Sequence, residues 1–182
     1  MKMCAACNLK VFFEEFCMTD RSPIKKYFGL AAWLGITGLA AAVAAAGSVT
    51  ADTFYTQLSL PTWAPPAWVF GPVWTALYAL MGIAAWLVWR ARGFGRALSS
   101  LLLYLLQLGV NVLWSWLFFS WRLGLMAMID ILVLLVLILA TLVSFWRISA
   151  PAGWLLVPYF LWVCFAAALN HAIWQLNPGI LG

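Results

Sequence analysis

The chain has 182 residues, of which 66% are hydrophobic and 8% charged, against roughly 45–50% apolar and about 25% charged in a soluble domain. No water-soluble fold of this size buries that much apolar surface, so a soluble enzyme and a disordered chain are both excluded. A formal net charge of +5 and 13 Trp accompany the apolar residues, and hydrophobicity alone calls for Leu, Ile and Val, not for indole.

Residues 1–24 read as a mobile cytoplasmic extension. Cys4, Cys7 and Cys17 lie close together there, with Glu14, Glu15 and Asp20 nearby. A Cys-x-x-Cys pair suits zinc or redox chemistry, but tetrahedral zinc needs four good ligands and the second pair is missing. Reduced thiols on an extension are the plainer reading, and no metal is expected. Charged residues interrupt the segment before the first apolar run, unlike a cleavable signal peptide.

Residues 25–182 hold five apolar runs, at 27–49, 70–89, 97–119, 123–145 and 153–176. Crossing a bilayer core of about 30 Å takes roughly 20 helical residues. Barrel strands would instead alternate over about 10 residues. The expected fold is therefore an all-α integral membrane protein, a five-helix bundle. The first run carries Gly38, Ala42 and Ala46 at four-residue spacing, a close-packing face that suits either the bundle or a dimer.

The connection 48–69 is the one long link, and it contains Pro61, Pro65 and Pro66. Proline removes N–H donors and stiffens the backbone, so the link reads as a semi-rigid lid carrying Trp63 and Trp68. Pro72 sits in the first turn of the second run, where a missing N–H costs little. Trp74, Tyr78 and Met81 then share a face at i, i+4 and i+7. Arg90-Ala91-Arg92-Gly93 with Arg96 separates the second run from the third, where Asn111, Trp114 and Phe118 recur at i, i+3 and i+7. Asp130 lies about 10 Å into the fourth run. In the fifth, Pro158 predicts a bend, followed by the stripe Trp162, Ala166 and Leu169. His171 falls on the face opposite Trp162, away from that stripe, which argues against a haem ligand.

Lys2, Lys10, Arg21, Lys25, Lys26, Arg90, Arg92, Arg96 and Arg147 fall on the N-terminal side of the bundle, with Arg122 alone opposite. The positive-inside rule puts the N-terminus in the cytoplasm, with the long link and the C-terminus outside. The charge is a topology signal, and no nucleic-acid partner is expected. Trp33, Trp86, Trp89, Trp121, Trp146 and Trp154 lie near run ends and suit interfacial belts. Trp74, Trp114 and Trp162 lie deeper or beside polar partners. Three aromatic stripes beside an aromatic lid would suit a flat conjugated ligand, since stacked rings gain roughly 0.5–1.5 kcal/mol beyond area burial.

The stretch from Phe54 through Thr62-Trp63-Ala64-Pro65-Pro66-Ala67-Trp68 to Gly71-Pro72-Val73-Trp74 and Tyr78 is distinctive. With Asn111-Val112-Leu113-Trp114-Ser115, Pro158-Tyr159-Phe160-Leu161-Trp162 and Ala168-Leu169-Asn170, it resembles the TspO/MBR family of tryptophan-rich sensory proteins and translocator proteins (peripheral benzodiazepine receptors). The resemblance spans about residues 27–178. It implies a five-helix bundle, often a homodimer, in a bacterial cell membrane. It also implies a porphyrin ligand such as protoporphyrin IX, with a sensory or regulatory role in tetrapyrrole or oxidative stress, and in some members sterol or benzodiazepine-type ligands.

The family's ligand contacts carry over to Phe54, Trp63, Trp68, Phe70, Trp74, Tyr78, Asn111, Trp114, Trp162 and Ala166. No obligatory cofactor is implied. Light-dependent breakdown of bound porphyrin is an alternative activity, for which Trp74 and Trp162 would carry the chemistry. Sterol or lipid translocation is another, though the C-terminal sterol pattern is missing from Leu169-Asn170-His171-Ala172-Ile173-Trp174-Gln175. No acid–base or nucleophilic constellation points to a conventional hydrolase or transferase.

Overall fold

A computed structural model describes residues 23–182, and all regular elements among them are helical. In chain order they are α1 (Pro23–Gly47), α2 (Ala51–Gln57), a 3₁₀ turn (Ala67–Val69), α3 (Phe70–Ser115), a π-helical turn (Trp116–Ser120), α4 (Gly124–Trp146), α5 (Ala150–Leu176) and α6 (Pro178–Leu181). The cysteine cluster Cys4, Cys7 and Cys17 and the extension 1–24, apart from the first residues of α1, lie outside the described residues.

Four described stretches are long and apolar enough to cross a membrane, and one of them, Ala67–Ser120, has 54 residues. At 1.5 Å per residue that is about 80 Å of helix, more than twice a bilayer core. It cannot be straight. Gly93 has φ 68° and ψ 178°, a region open essentially to glycine alone. There α3 folds back into a proximal arm (70–92) and a distal arm (94–115). The Tyr78 hydroxyl donates to Asn111 Oδ1 at 2.5 Å, joining points about equally far either side of the turn. The chain thus crosses five times, as the runs predict, with the second and third crossings continuous in one element.

The arms of α3 form the centre of the bundle: α1 packs on α3, α4 and α5 pack on each other, and both pack on α3. Tyr104, Tyr159, Phe145, Ile131, Leu134, Ile138 and Leu156 are fully buried between them. Polar side chains tie the helices where no water is available. The Tyr159 hydroxyl donates to Gln107 Oε1 at 2.9 Å, and the Thr37 and Tyr104 hydroxyls share a bond of 2.6 Å. α5 continues through Pro158 as one helix. Trp33, expected in an interfacial belt, is instead buried against Tyr104 and Phe94. Trp121, Trp146 and Trp154 are exposed, as belt residues should be.

The long link is more ordered than its prolines suggest, because α2 occupies its first part. Phe54 is buried there, edge-on to Phe118, with the Arg122 guanidinium 4.9 Å above its ring. Tyr55 donates to the Pro65 carbonyl at 3.0 Å. Burial pushes its phenol above the ordinary value, so it stays protonated and keeps donating. Asn177 closes the other side. Its Oδ1 accepts from the Ser59 N–H at 2.8 Å, and its Nδ2 donates to the Ser59 and Ile173 carbonyls. The link is thereby pinned to the end of α5.

Candidate functional site

A cavity of about 690 Å³ lies between α1, the link and both arms of α3. Its floor and back are aromatic. Phe70, Trp74 and Tyr78 descend the proximal arm at four-residue spacing, and Trp114 and Phe119 face them from the distal side. The Trp74 and Tyr78 rings lie 5.7 Å apart, and Trp114 stacks on Phe118 with planes 12° apart. Ala51, Tyr55 and Ala67 close the link end, and Leu34, Gly38, Ala41, Ala42, Ala44, Ala45 and Ser48 form the α1 wall.

The polar atoms around this space are mostly engaged. Thr75 Oγ1 donates to the Gly71 carbonyl and Ser48 Oγ to the Ala44 carbonyl, while Tyr78 is held by Asn111. Trp114 is different: it is 8% exposed and its Nε1 is buried with no partner. One turn deeper, Asn111 Nδ2 is also buried and unpartnered. Both are donors, and a buried donor left unpaired costs about 1–3 kcal/mol. Among the described residues, no carboxylate, imidazole, thiol or amine lines the cavity. Such a site can hold a flat, mostly apolar molecule against its aromatic wall.

Of the ten residues carried over by motif, Phe70, Trp74, Tyr78 and Trp114 line this cavity and the other six do not. Trp68 is 74% exposed. The reason is the 3₁₀ turn, in which residues i and i+3 eclipse: Ala67 and Phe70 both face the cavity, and Trp68 between them faces out. Trp63 is half exposed, with its ring edge-on to Phe165. Phe54 is buried beneath α2 on Phe118. Asn111 lies under the floor, bonded to Tyr78.

Trp162 stands behind Phe70, 6.0 Å from its ring, and Ala166 is buried on the same helix. Tyr159 similarly backs Trp74. α5 therefore supports the aromatic wall instead of forming it, and the wall expected from α5 comes from α1. Sequence reasoning took Gly38 and Ala42 as packing residues; both border the cavity, whereas Ala46 is exposed and does not. Asn177 went unnoticed, although an Asn between a helix end and Pro178 is a recognisable capping signal.

Asp130 is buried in α4 with Oδ2 unpartnered, outside the cavity. His171 is exposed and packs edge-on to Trp174. Among the described residues no cluster of three or more His, Cys, Asp or Glu could hold a metal ion.

The sequence profile of the TspO/MBR family matches residues 30–175. The chain is 42% identical over 149 residues to the tryptophan-rich protein TspO of Chlorobaculum tepidum, covering 78% of this chain and 92% of that protein. It is 39% identical over 131 residues to the human translocator protein, covering 71% and 78%. Against protein CrtK of Rhodobacter capsulatus the identity is 36% over 159 residues, covering 84% and 91%.

Proposed function

The chain belongs to the TspO/MBR family, and on that premise we propose that it is a membrane receptor that binds a tetrapyrrole such as protoporphyrin IX in the cavity beside α3. Binding there would report tetrapyrrole load or oxidative stress, with the N-terminus on the cytoplasmic side. The observation that carries this reading is the aromatic cavity itself. Its 690 Å³ falls in the range of small-molecule sites, about 300–1,000 Å³. Three proximal-arm rings offer stacking surface to a flat macrocycle. Light-driven breakdown is less well supported, because Trp74 and Trp162 would carry it together and Trp162 stands behind Phe70.

Titrating protoporphyrin IX against tryptophan fluorescence in detergent or nanodiscs tests the proposal. Saturable quenching is expected. Trp74→Ala should raise Kd about tenfold, equivalent to about 1.4 kcal/mol and close to the upper stacking increment. Trp162→Ala should move it less. Absence of quenching, or a titration unchanged by Trp74→Ala, would sink the reading. Porphyrin absorbance followed under light, with and without protein, separates binding from turnover.

A further inference from the structure

The side of the cavity between α1 and the proximal arm is not closed. Gly38, Ala42 and Ala45 on α1 face the cavity, as do Gly71, Thr75 and Ala79 on the arm, and all six are also exposed at the molecular surface. Rows of small residues at this spacing ordinarily bring two membrane helices into contact. Here they do not. A Cβ built on Gly38 or Gly71 would meet no atom within 4 Å. Further along the same helix pair the contact is tight: a Cβ on Gly82 would come within 2.9 Å of Leu34 Cδ2 and 3.4 Å of Leu34 Cα.

The gap has fixed sides. At its link end α1 is held to the distal side, where Trp116 Nε1 donates to the Val43 carbonyl at 3.1 Å and Ser120 Oγ to the Gly47 carbonyl at 2.8 Å. At the other end the Leu34–Gly82 contact holds it to the proximal arm. α1 therefore leans from one arm to the other and leaves a wedge between. Exposed Leu39 and Val43 flank the opening on α1, within the apolar stretch Tyr27–Gly47. The mouth thus faces hydrocarbon. Directly behind it lie Trp74, Tyr78 and Trp114.

We propose that this wedge is a lateral portal, through which a flat lipid-dissolved ligand passes between the bilayer and the aromatic cavity. The proposal rests on the reading of that cavity as the tetrapyrrole site and adds the route to it. A large apolar ring dissolved in lipid would cross water only at a cost of about 25 cal/mol per Å² of exposed apolar surface. A side opening between small residues spares it that step, and needs no movement of the pinned link.

The test is stopped-flow tryptophan quenching in nanodiscs, with protoporphyrin IX supplied from the lipid. Leu39→Phe with Val43→Phe enlarges the α1 rim outside the cavity lining, and Ala76→Leu, beside Thr75 but also outside the lining, independently enlarges the facing rim. In both variants, association and dissociation should slow together by about tenfold, while thermal unfolding stays at the wild-type temperature. Wild-type rates in both variants overturn the portal. So does slower association at unchanged dissociation, which would make the rim a ligand contact instead of a route. Slowing that accompanies a change from dimer to monomer in the same nanodiscs assigns the wedge to a second copy of the chain, and also overturns it. Trp74→Ala reports on the parent reading separately: if it leaves Kd unchanged, the cavity is not the porphyrin site, whatever the rim variants do.

Discussion

Helix α1 meets the proximal arm of α3 in two opposite ways. From Trp33 to Thr37 the contact is closed: Trp33 and Thr37 are buried, Tyr104 reaches in from the distal arm to bond Thr37, and Gly82 lies against Leu34 with no room for a methyl. From Gly38 to Ala45 the same helix faces the same arm across open space. The closed half presents Trp33, Leu34 and Thr37, while the open half presents Gly38, Ala41, Ala42 and Ala45. The fastening differs too: α1 is held to the proximal arm at one end and to Trp116 and Ser120 at the other. Small residues make a close contact only where something else brings the backbones together. Elsewhere they make room.

Filling the closed half should have the largest effect on stability. Gly82→Leu forces a side chain against Leu34 and Thr37, and overpacking of this kind costs typically 1–3 kcal/mol. A lowered unfolding midpoint in mixed micelles would measure it, and an unchanged midpoint would mean that the two helices are not locked there. Tyr104→Phe should cost less. It removes the 2.6 Å bond to Thr37 but leaves Thr37 Oγ1 donating to the Trp33 carbonyl at 2.7 Å. A loss of about 0.6 kcal/mol is expected, near the average for interhelical hydrogen bonds in membranes, by the same titration.

The comparison also explains what could be read from sequence. Run lengths give the five crossings, because a bilayer sets the length of a helix, and the Arg90–Gly93 break marks the turn of the α3 hairpin. The proximal aromatic face was legible too, since Trp74 and Tyr78 keep helical spacing whatever their partner. The α1 wall was not. Gly38 and Ala42 carry the same pattern whether the neighbouring helix touches them or not, and the fastening points decide. Trp68 was not legible for a different reason: its direction depends on the phase of one 3₁₀ turn, which proline spacing does not reveal. Trp162 has the right face but stands one layer back, behind Phe70.

The smallest effect is expected in the open half, and it is the sharpest check on the contrast. Gly38→Ala places a methyl where no atom lies within 4 Å, so packing is neither gained nor lost. In water the exchange would favour the helix by up to about 1 kcal/mol, because glycine leaves more backbone freedom in the unfolded chain. In a bilayer the unfolded reference is still helical, since an apolar segment satisfies its backbone groups internally. Most of that entropy is therefore never released. The midpoint should rise by no more than about 0.5 kcal/mol, the usual bound for a substitution that touches nothing. A clear loss at Gly38 would mean that a second helix closes on this face in the membrane, and the wedge between α1 and the proximal arm would no longer be open.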